Sequence, residues 1–397
     1  MKPISTTAKC IAPSATLAID TLAKQMKADG VDVIAFGAGE PDFNTPEHIK
    51  EAGIEAIRAN KTRYTPASGI PQLKSAICAS IQKQFGLSYT NQNICVSSGA
   101  KHIVYVSMMT LVNPGDEVIL PAPYWVTYVE IIRMAGGIPV VIDTDERTHF
   151  KITPEMLENA VTEKTKCLLL NNPSNPTGMV YTRKELEALM KVVQKHDLYV
   201  ISDEIYNTLT YGCSHTCLPT LSEDIKNRTV LIDGLSKTYA MTGWRVGYSA
   251  ANAEITKAMS NYLSHSTGST CTISQYAGME ALVKNTDEAE QMRQAFDERR
   301  RYFLGRIAKM SGVSCIEPEG AFYIFMNIKP QLGKTFYGEK VETSAQFAQC
   351  LLKNGLVAVV PGDAFGAEGY IRWSYATSID AIREGLDRLE KFLSEGR

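Results

Sequence analysis

The feature that most constrains the fold is a series of short, nearly continuous apolar runs in the middle of the chain. These runs are ICVS at 94–97, EVIL at 117–120, PVVI at 139–142, KCLLLN at 166–171, LYVIS at 198–202 and TVLID at 229–233. Strands have this composition when helices cover both faces of their sheet, because neither face then meets water. Helix signals lie between the runs, such as the capping box from Thr182 to Glu185. We therefore predict a doubly wound α/β unit with a mainly parallel sheet.

The pattern changes near residue 285. A long charged segment there predicts a helix, short strand signals follow, and the last helix places apolar residues on one face. Those residues are Ile382, Leu386, Leu389 and Leu393. The first 44 residues are too few to form a core alone. We predict a large domain at 45–285 and a smaller α+β domain built from both chain ends, 1–44 and 286–397.

The charge balance excludes whole classes of function. Lys plus Arg is 41 and Asp plus Glu is 43, so the chain has no general attraction to nucleic acid or to anionic membranes. No apolar run reaches the roughly 18 residues that a membrane span needs. The beginning of the sequence has no apolar core of a secretory signal, and the nine cysteines include no CxxC pair. We expect a cytoplasmic protein with reduced thiols.

Two motifs match known sites only in part. Cys213, His215 and Cys217 are close in sequence, but no second pair completes a tetrahedral metal site, so a polar surface loop is favoured and no metal is expected. The segment from Gly37 to Gly39 begins like a dinucleotide fingerprint, yet the third glycine is missing and prolines interrupt the helix that should follow. Close approach of a ligand to this backbone is the better interpretation.

Polar motifs follow the carboxyl ends of several predicted strands, the edge at which open α/β sheets bind ligands. SSGAK at 97–101 opens a helix and could hold a phosphate, or it could be an ordinary turn. NNPSNPTG at 171–178 is either a ligand loop or a rigid turn. Asp203, in SDEIY, is either a helix cap or the partner of a buried cation.

Lys237 is the candidate nucleophile. It follows the run TVLID in a segment of small and aromatic residues, flanked by Ser236 and Arg245. Desolvation and neighbouring cations would lower its pKa and keep part of the amine neutral, as condensation with a carbonyl group requires. The alternative is an ordinary solvated lysine.

In order and spacing, these motifs resemble the pyridoxal-phosphate aminotransferases of fold type I, closest to the bacterial aspartate aminotransferases. The resemblance rests on NNPSNPTG at 171–178, SDEIY at 202–206 and SKTYAMTGWRVGY at 236–248, and it extends along nearly the whole chain. It implies an enzyme of amino-acid metabolism that moves the α-amino group of aspartate to 2-oxoglutarate. Its cofactor, pyridoxal 5′-phosphate, would alternate with pyridoxamine phosphate in two half-reactions.

The resemblance also implies roles for single residues. Lys237 would bind the cofactor covalently and later, as a free amine, carry a proton, while Asp203 would keep the pyridine nitrogen protonated. Tyr206 and Asn175 would hydrogen-bond to the ring oxygen, and Trp125 would stack on the ring. The phosphate would lie among Ser98, Gly99, Ala100, Lys101, Ser236 and Arg245. Tyr64 would reach the phosphate of a neighbouring subunit, which predicts a homodimer with shared active sites.

The resemblance also implies which residues would contact the substrate. Arg372, in YIRWSYA, would grip the α-carboxylate with its planar fork, helped by Asn175 and the backbone of Gly39. Trp125 would also border the substrate. Lys101 would read the distal carboxylate of aspartate, unless it contacts only the phosphate, in which case Thr16 or a partner residue would read it.

Three alternatives stay open. A C–S lyase of the same fold would use the same clamp, but Trp125 favours transamination, since such lyases usually carry Tyr there. A broader aminotransferase could accept aromatic amino acids or prephenate, although some relatives that accept prephenate carry Lys where this chain has Ala12, which argues against prephenate use. A non-catalytic sensor module is disfavoured by the intact Lys237 and by the lack of a basic DNA-binding segment.

Overall fold

The computed structural model describes residues 2–284 and 286–397. Its α-helices are α1 Thr6–Cys10, α2 Ala15–Ala28, α3 Glu47–Arg58, α4 Pro71–Phe85, α5 Ala100–Leu111, α6 Thr127–Met134, α7 Pro154–Ala160, α8 Arg183–Lys195, α9 Glu223–Arg228, α10 Leu235–Thr238, α11 Ala253–His265, α12 Thr272–Val283, α13 Glu288–Ile307, α14 Ser344–Cys350 and α15 Ile379–Ser394. Its strands are β1 Ile34–Ala35, β2 Ile94–Ser97, β3 Glu117–Pro121, β4 Ile138–Ile142, β5 Thr165–Asn171, β6 Tyr199–Asp203, β7 Thr229–Gly234, β8 Gly247–Ala250, β9 Ser314–Cys315, β10 Tyr323–Asn327, β11 Thr335–Phe336, β12 Glu339–Lys340, β13 Val357–Ala358, β14 Val360–Pro361 and β15 Tyr370–Ser374.

The large sheet contains seven strands in the order β2-β8-β7-β6-β5-β3-β4. Each of the six predicted apolar runs is one of its strands, from β2 to β7. The pairs of β3 to β7 are parallel, whereas β8 runs antiparallel to both β2 and β7. The predicted doubly wound fold is confirmed, with one antiparallel strand that the sequence pattern did not reveal.

Helices cover both faces of this sheet, which explains its apolar strands. Along β5, Cys167 and Leu169 pack with α5, α6 and α11, while Leu168 and Leu170 pack with α7 and α8 on the opposite face. The helices α3, α4 and α12 cover the rest of that second face. Because successive side chains of a strand point to opposite faces, both faces need apolar residues.

A smaller antiparallel sheet in the order β14-β15-β10-β9 forms a second core with α13 and α15. Both chain ends contribute to this part, since β1 pairs with β13 in parallel and Phe36 packs on Trp373 with ring centroids 4.7 Å apart. The predicted apolar face of α15 is buried at Ile382, Leu386 and Leu389. Residue 285, at the predicted domain boundary, lies outside the described residues, and the division at 44 and 285 stays a prediction.

The prediction of a polar surface loop at 213–217 is correct for the loop and for the exposed Ser214, but it is wrong for His215 and Cys217, whose side chains are buried. The side chain of His215 is 4% exposed and Cys217 is 1% exposed. The reason is a hydrogen-bonding contact that the sequence could not reveal, because the Nε2 of His215 lies 2.6 Å from the buried carboxylate of Glu204. Within residues 2–284 and 286–397, no group of three or more His, Cys, Asp or Glu residues is arranged to hold a metal ion.

The described part of the chain includes no helix with both the length and the apolar composition needed to cross a bilayer. All nine cysteines lie in this part, and each of them is free.

Candidate active site

A cavity of about 410 Å³ opens where the parallel strands of the large sheet end and the smaller sheet packs against them. Strands β5 and β6 end at its wall with Asn171 and Asp203, and α10 brings Lys237 directly after β7. Twelve of the fifteen residues predicted for the site line it, namely Thr16, Gly39, Ala100, Lys101, Trp125, Asn175, Asp203, Tyr206, Ser236, Lys237, Arg245 and Arg372. Residues far apart in sequence therefore meet at the carboxyl ends of the parallel strands, where open α/β sheets bind ligands.

Ser98 and Gly99 lie just behind this wall, against Arg245. The Nη2 of Arg245 donates a 3.2 Å hydrogen bond to the carbonyl oxygen of Ser98. Gly99 has a φ of +89°, and a Cβ there would lie 2.3 Å from the same Nη2. A Cβ on Gly247 of β8 would meet the backbone nitrogen of Ala100 at 2.2 Å. Gly99 therefore lets the guanidinium approach the start of α5, and Gly247 lets β8 approach the same turn.

The amine of Lys237 lies in the cavity and donates a hydrogen bond to the carbonyl oxygen of Gly39. The pKa of Lys237 falls from its ordinary 10.5 to about 8, because the lowering effects of burial, Arg245 and Arg372 outweigh the raising effects of Glu40 and Asp203. A pKa near 8 leaves part of the amine neutral at physiological pH, so Lys237 can act as a nucleophile and as a base.

Asp203 is the last residue of β6 and is 4% exposed. Its Oδ2 accepts a 2.7 Å hydrogen bond from the hydroxyl of Tyr128, and its Oδ1 accepts one of 3.2 Å from the amide of Ile205. Burial raises the pKa of Asp203 from 3.8 to about 6, while these two hydrogen bonds lower it. A turn follows Asp203 rather than a helix, which removes the capping alternative. A buried carboxylate in this setting is suited to pair with a cation.

Arg372 lies on β15 of the smaller sheet and is 2% exposed. Its guanidinium donates to the Oδ1 of Asn175 at 3.0 Å and to the carbonyl oxygen of Gly37 at 2.7 Å. Its carbon lies 4.5 Å from the ring centroid of Tyr323 and 5.0 Å from that of Phe365. Its Nε has no hydrogen-bond partner in the described part of the chain.

The burial and charge of Arg372 indicate which kind of ligand suits the cavity. Burial lowers its pKa, and the described residues provide no carboxylate within ion-pair distance. A buried cation without a counter-ion is costly. An anionic ligand that takes up the free Nε–H would remove that cost, and a planar carboxylate matches the fork of the guanidinium.

The geometry thus combines an amine, a buried carboxylate, Arg245 beside the N-terminus of α5 and a second, buried arginine, Arg372. The sequence profile of aminotransferase class I and II matches residues 31–389. The chain belongs to this family.

Curated relatives match this aminotransferase over nearly its whole length. The aspartate aminotransferase of Bacillus sp. (strain YM-2) is 45% identical over 386 residues, which cover 97% of each chain. The aspartate/prephenate aminotransferase of Cereibacter sphaeroides (strain ATCC 17029) is 43% identical over 392 residues, or 98% of each chain. Among solved structures, the aspartate aminotransferase from Rhizobium meliloti matches with a TM-score of 0.96 at 39% identity and covers 100% of both chains.

Two tyrosines of the aminotransferase site were missed in the sequence. The hydroxyl of Tyr323 lies 2.9 Å from that of Tyr206, and Tyr323 also supports Arg372. Its position depends on the pairing of β10 with β15, which no local pattern reveals. Tyr128 could have been found, because it follows Trp125 by only three positions. Trp125 lies just before α6, and the amide of Tyr128 donates a 2.9 Å hydrogen bond to the carbonyl oxygen of Trp125, so this turn brings the two rings together.

The structure does not bring every predicted residue to the cavity of its own chain. Tyr64 is 100% exposed, away from the lining residues. Lys101 does line the cavity, with its Nζ 5.0 Å from the ring centroid of Trp125. Burial, and then the nearby Arg245, lower the pKa of Lys101. Thr16, on α2, hydrogen-bonds to Ser14 at 3.0 Å between the two hydroxyl oxygens.

Proposed function

We propose that this aminotransferase moves the α-amino group of aspartate to 2-oxoglutarate, giving oxaloacetate and glutamate, with pyridoxal 5′-phosphate as its cofactor. The observation that carries the proposal is that buried Arg372, whose Nε has no hydrogen-bond partner among the described residues, lines one cavity with the amine of Lys237 and the acid of Asp203. The relatives named as aspartate aminotransferases support aspartate as the donor.

The residues present fit this cofactor part by part. Arg245 and Ser236, beside the N-terminus of α5, offer a cation, a hydroxyl and backbone N–H groups for a phosphate. Trp125 offers a flat face for a ring. Asp203 offers a buried negative charge for a ring nitrogen, and the hydroxyl of Tyr206 can hydrogen-bond to a ring oxygen, together with the amide of Asn175.

Bound pyridoxal phosphate supplies an aldehyde for the amino group and a ring that stabilises negative charge at the substrate α-carbon. Lys237 supplies the base, because its lowered pKa lets the neutral amine take up the α-proton and return it later. The carbonyl oxygen of Gly39 accepts a hydrogen bond from Nζ and so orients that amine. The carboxylate of Asp203 would pair with the protonated ring nitrogen of the cofactor.

Arg372 binds the α-carboxylate and so fixes which face of the α-carbon meets Lys237. The hydrogen bonds to Asn175 and Gly37 keep the guanidinium from rotating. Lys101 binds the distal carboxylate of aspartate, because its amine lies at the same cavity wall and carries no salt bridge within the described residues. A contact limited to the phosphate is its alternative role, with Thr16 or a partner residue then reading the substrate.

The proposal includes a cytoplasmic homodimer with active sites shared between chains. The side chain of Tyr64 is fully exposed, so its hydroxyl is free to reach the cofactor of a neighbouring chain. The nine free cysteines support a reducing compartment.

The test is a panel of amino donors with purified protein loaded with pyridoxal phosphate. Aspartate, glutamate, asparagine, alanine, phenylalanine and cystathionine are each offered with 2-oxoglutarate or oxaloacetate as acceptor, and prephenate is offered with glutamate. We expect the highest kcat/KM for aspartate with 2-oxoglutarate. A higher value for phenylalanine or prephenate, or release of ammonia and pyruvate from cystathionine, contradicts the proposal.

A further inference from the structure

Tyr128 connects two of the residues proposed to hold the cofactor. It lies in the first turn of α6, is 1% exposed and borders the cavity. Its hydroxyl donates a 2.7 Å hydrogen bond to the Oδ2 of Asp203, from 75 positions away in the sequence. Its ring meets that of Trp125 edge to face, with centroids 5.2 Å apart and planes at 85°. One side chain therefore touches both the acid and the stacking surface.

The hydrogen bond has a definite electrostatic effect on Asp203. A donor to a carboxylate favours its charged form, whereas burial favours the neutral form. Besides Tyr128, the charged and polar groups acting on Asp203 are the amide of Ile205, the neighbouring carboxylate of Glu204 and the amine of Lys237. Glu204 acts against ionisation, so Tyr128 is a main support of the negative charge.

The hydroxyl also fixes the direction of the carboxylate. The hydroxyl of Tyr128 donates to Oδ2 and the amide of Ile205 donates to Oδ1, so both carboxylate oxygens of Asp203 are hydrogen-bonded. A buried carboxylate with a single partner could rotate about its last bond. With both oxygens held, its free lone pairs have one orientation toward the cavity.

We propose that Tyr128 is a positioning residue, whose hydroxyl keeps Asp203 ionised and oriented toward the ring nitrogen of pyridoxal phosphate. This inference rests on the proposed function, since it assumes that the cavity takes this cofactor. It adds that recognition of the ring nitrogen depends on a residue outside the motifs that define the site.

The test compares two ligands for the apoprotein, pyridoxal phosphate and its 1-deaza analogue, in which a C–H group replaces the ring nitrogen. Tyr128→Phe keeps the aromatic ring against Trp125 and removes only the hydroxyl. We expect about a 10-fold loss of affinity for pyridoxal phosphate, the size of a hydrogen bond to a charged group, and less than about a twofold loss for the analogue.

Tyr248→Phe is the matched control. The hydroxyl of Tyr248 donates to the Oδ2 of Asp233 at 3.0 Å, and both residues are buried. Neither belongs to the lining of the cavity as far as the chain is described. The control loses the same kind of buried contact, so we expect comparable destabilisation with both ligand affinities unchanged.

A second comparison introduces Tyr128→Phe into the Asp203→Asn variant. This comparison remains informative if Tyr128→Phe alone lowers stability. Adding Tyr128→Phe there should change the affinity for pyridoxal phosphate by less than about twofold, because the charge that Tyr128 supports is already absent. Equal losses for both ligands, no loss for either, or a full additional loss in the Asn background each overturn the inference. If the wild-type apoprotein binds neither ligand, the proposed function itself is wrong.

Discussion

The Nη1 of Arg372 donates a 3.0 Å hydrogen bond to the Oδ1 of Asn175, although 197 positions separate the two residues. Arg372 lies on β15 of the smaller sheet, whereas Asn175 lies in the loop after β5 of the large sheet. The rings of Tyr323 and Phe365 both pack against the guanidinium, with centroids 4.5 Å and 5.0 Å from its carbon. This hydrogen bond between Arg372 and Asn175 therefore exists only when the two sheets are packed together.

Replacing the fork tests this arrangement. For Arg372→Lys we expect kcat/KM to fall roughly 10- to 150-fold for every donor, because a bidentate, charge-assisted contact is worth about 1.5–3 kcal/mol and lysine cannot reproduce it. Steady-state kinetics with aspartate and alanine measure the effect. Arg388→Lys is the control, since Arg388 pairs with Asp32 and Glu384 outside the cavity. Unchanged kinetics with both donors would place the carboxylate elsewhere.

A Lys101 variant tests whether this residue binds the distal carboxylate of the substrate. For Lys101→Ser with saturating cofactor, we expect kcat/KM for aspartate and glutamate to fall roughly 10- to 100-fold. Alanine and phenylalanine should change by less than about threefold, because they have no second carboxylate. An equal loss for acidic and neutral donors would mean a phosphate contact, and the distal carboxylate would then be read by Thr16 or by a partner residue.

Mixed dimers test the role of the exposed Tyr64. Lys237→Ala should abolish turnover while still binding the cofactor, and Tyr64→Phe should weaken cofactor binding in the other subunit. A dimer that contains one chain of each kind has one unmutated site and one doubly mutated site. Mixing the two variants should therefore restore activity above the average of the parents. A mixture that performs no better than that average would show that Tyr64 does not act across the dimer.

The pH dependence of apoprotein stability tests the environment of Asp203. Its folded pKa of about 6 lies above the ordinary 3.8, so the folded state binds this proton more tightly than the unfolded state. That stabilisation is complete below pH about 4 and is lost as the pH rises through about 6. The unfolding free energy of wild type minus that of Asp203→Asn should fall over this range, by at most about 3 kcal/mol. Urea unfolding at several pH values measures it, and a constant difference would contradict the raised pKa.

The sequence predicted the features that local pattern determines. Buried strands such as β5 have an apolar run, and the catalytic motifs follow those strands, so their meeting at one sheet edge could be foreseen. Strand β8 was missed because Gly247 and Ser249 interrupt any such run, and pairing with β2 and β7 makes it a strand. The position of Tyr323 depends on the register of β10 with β15, and the burial of His215 depends on its carboxylate partner Glu204. Neither contact leaves a local signal in the sequence.

The half-reaction with aspartate tests the central claim most directly. Protein loaded with pyridoxal phosphate is mixed with aspartate in the absence of any 2-oxo acid, and the visible absorption band and the products are followed. We expect the band to disappear with release of one equivalent of oxaloacetate per active site, and 2-oxoglutarate should then restore the band and release glutamate. A band that persists, or release of ammonia in place of oxaloacetate, would contradict the assignment of this chain as an aspartate aminotransferase.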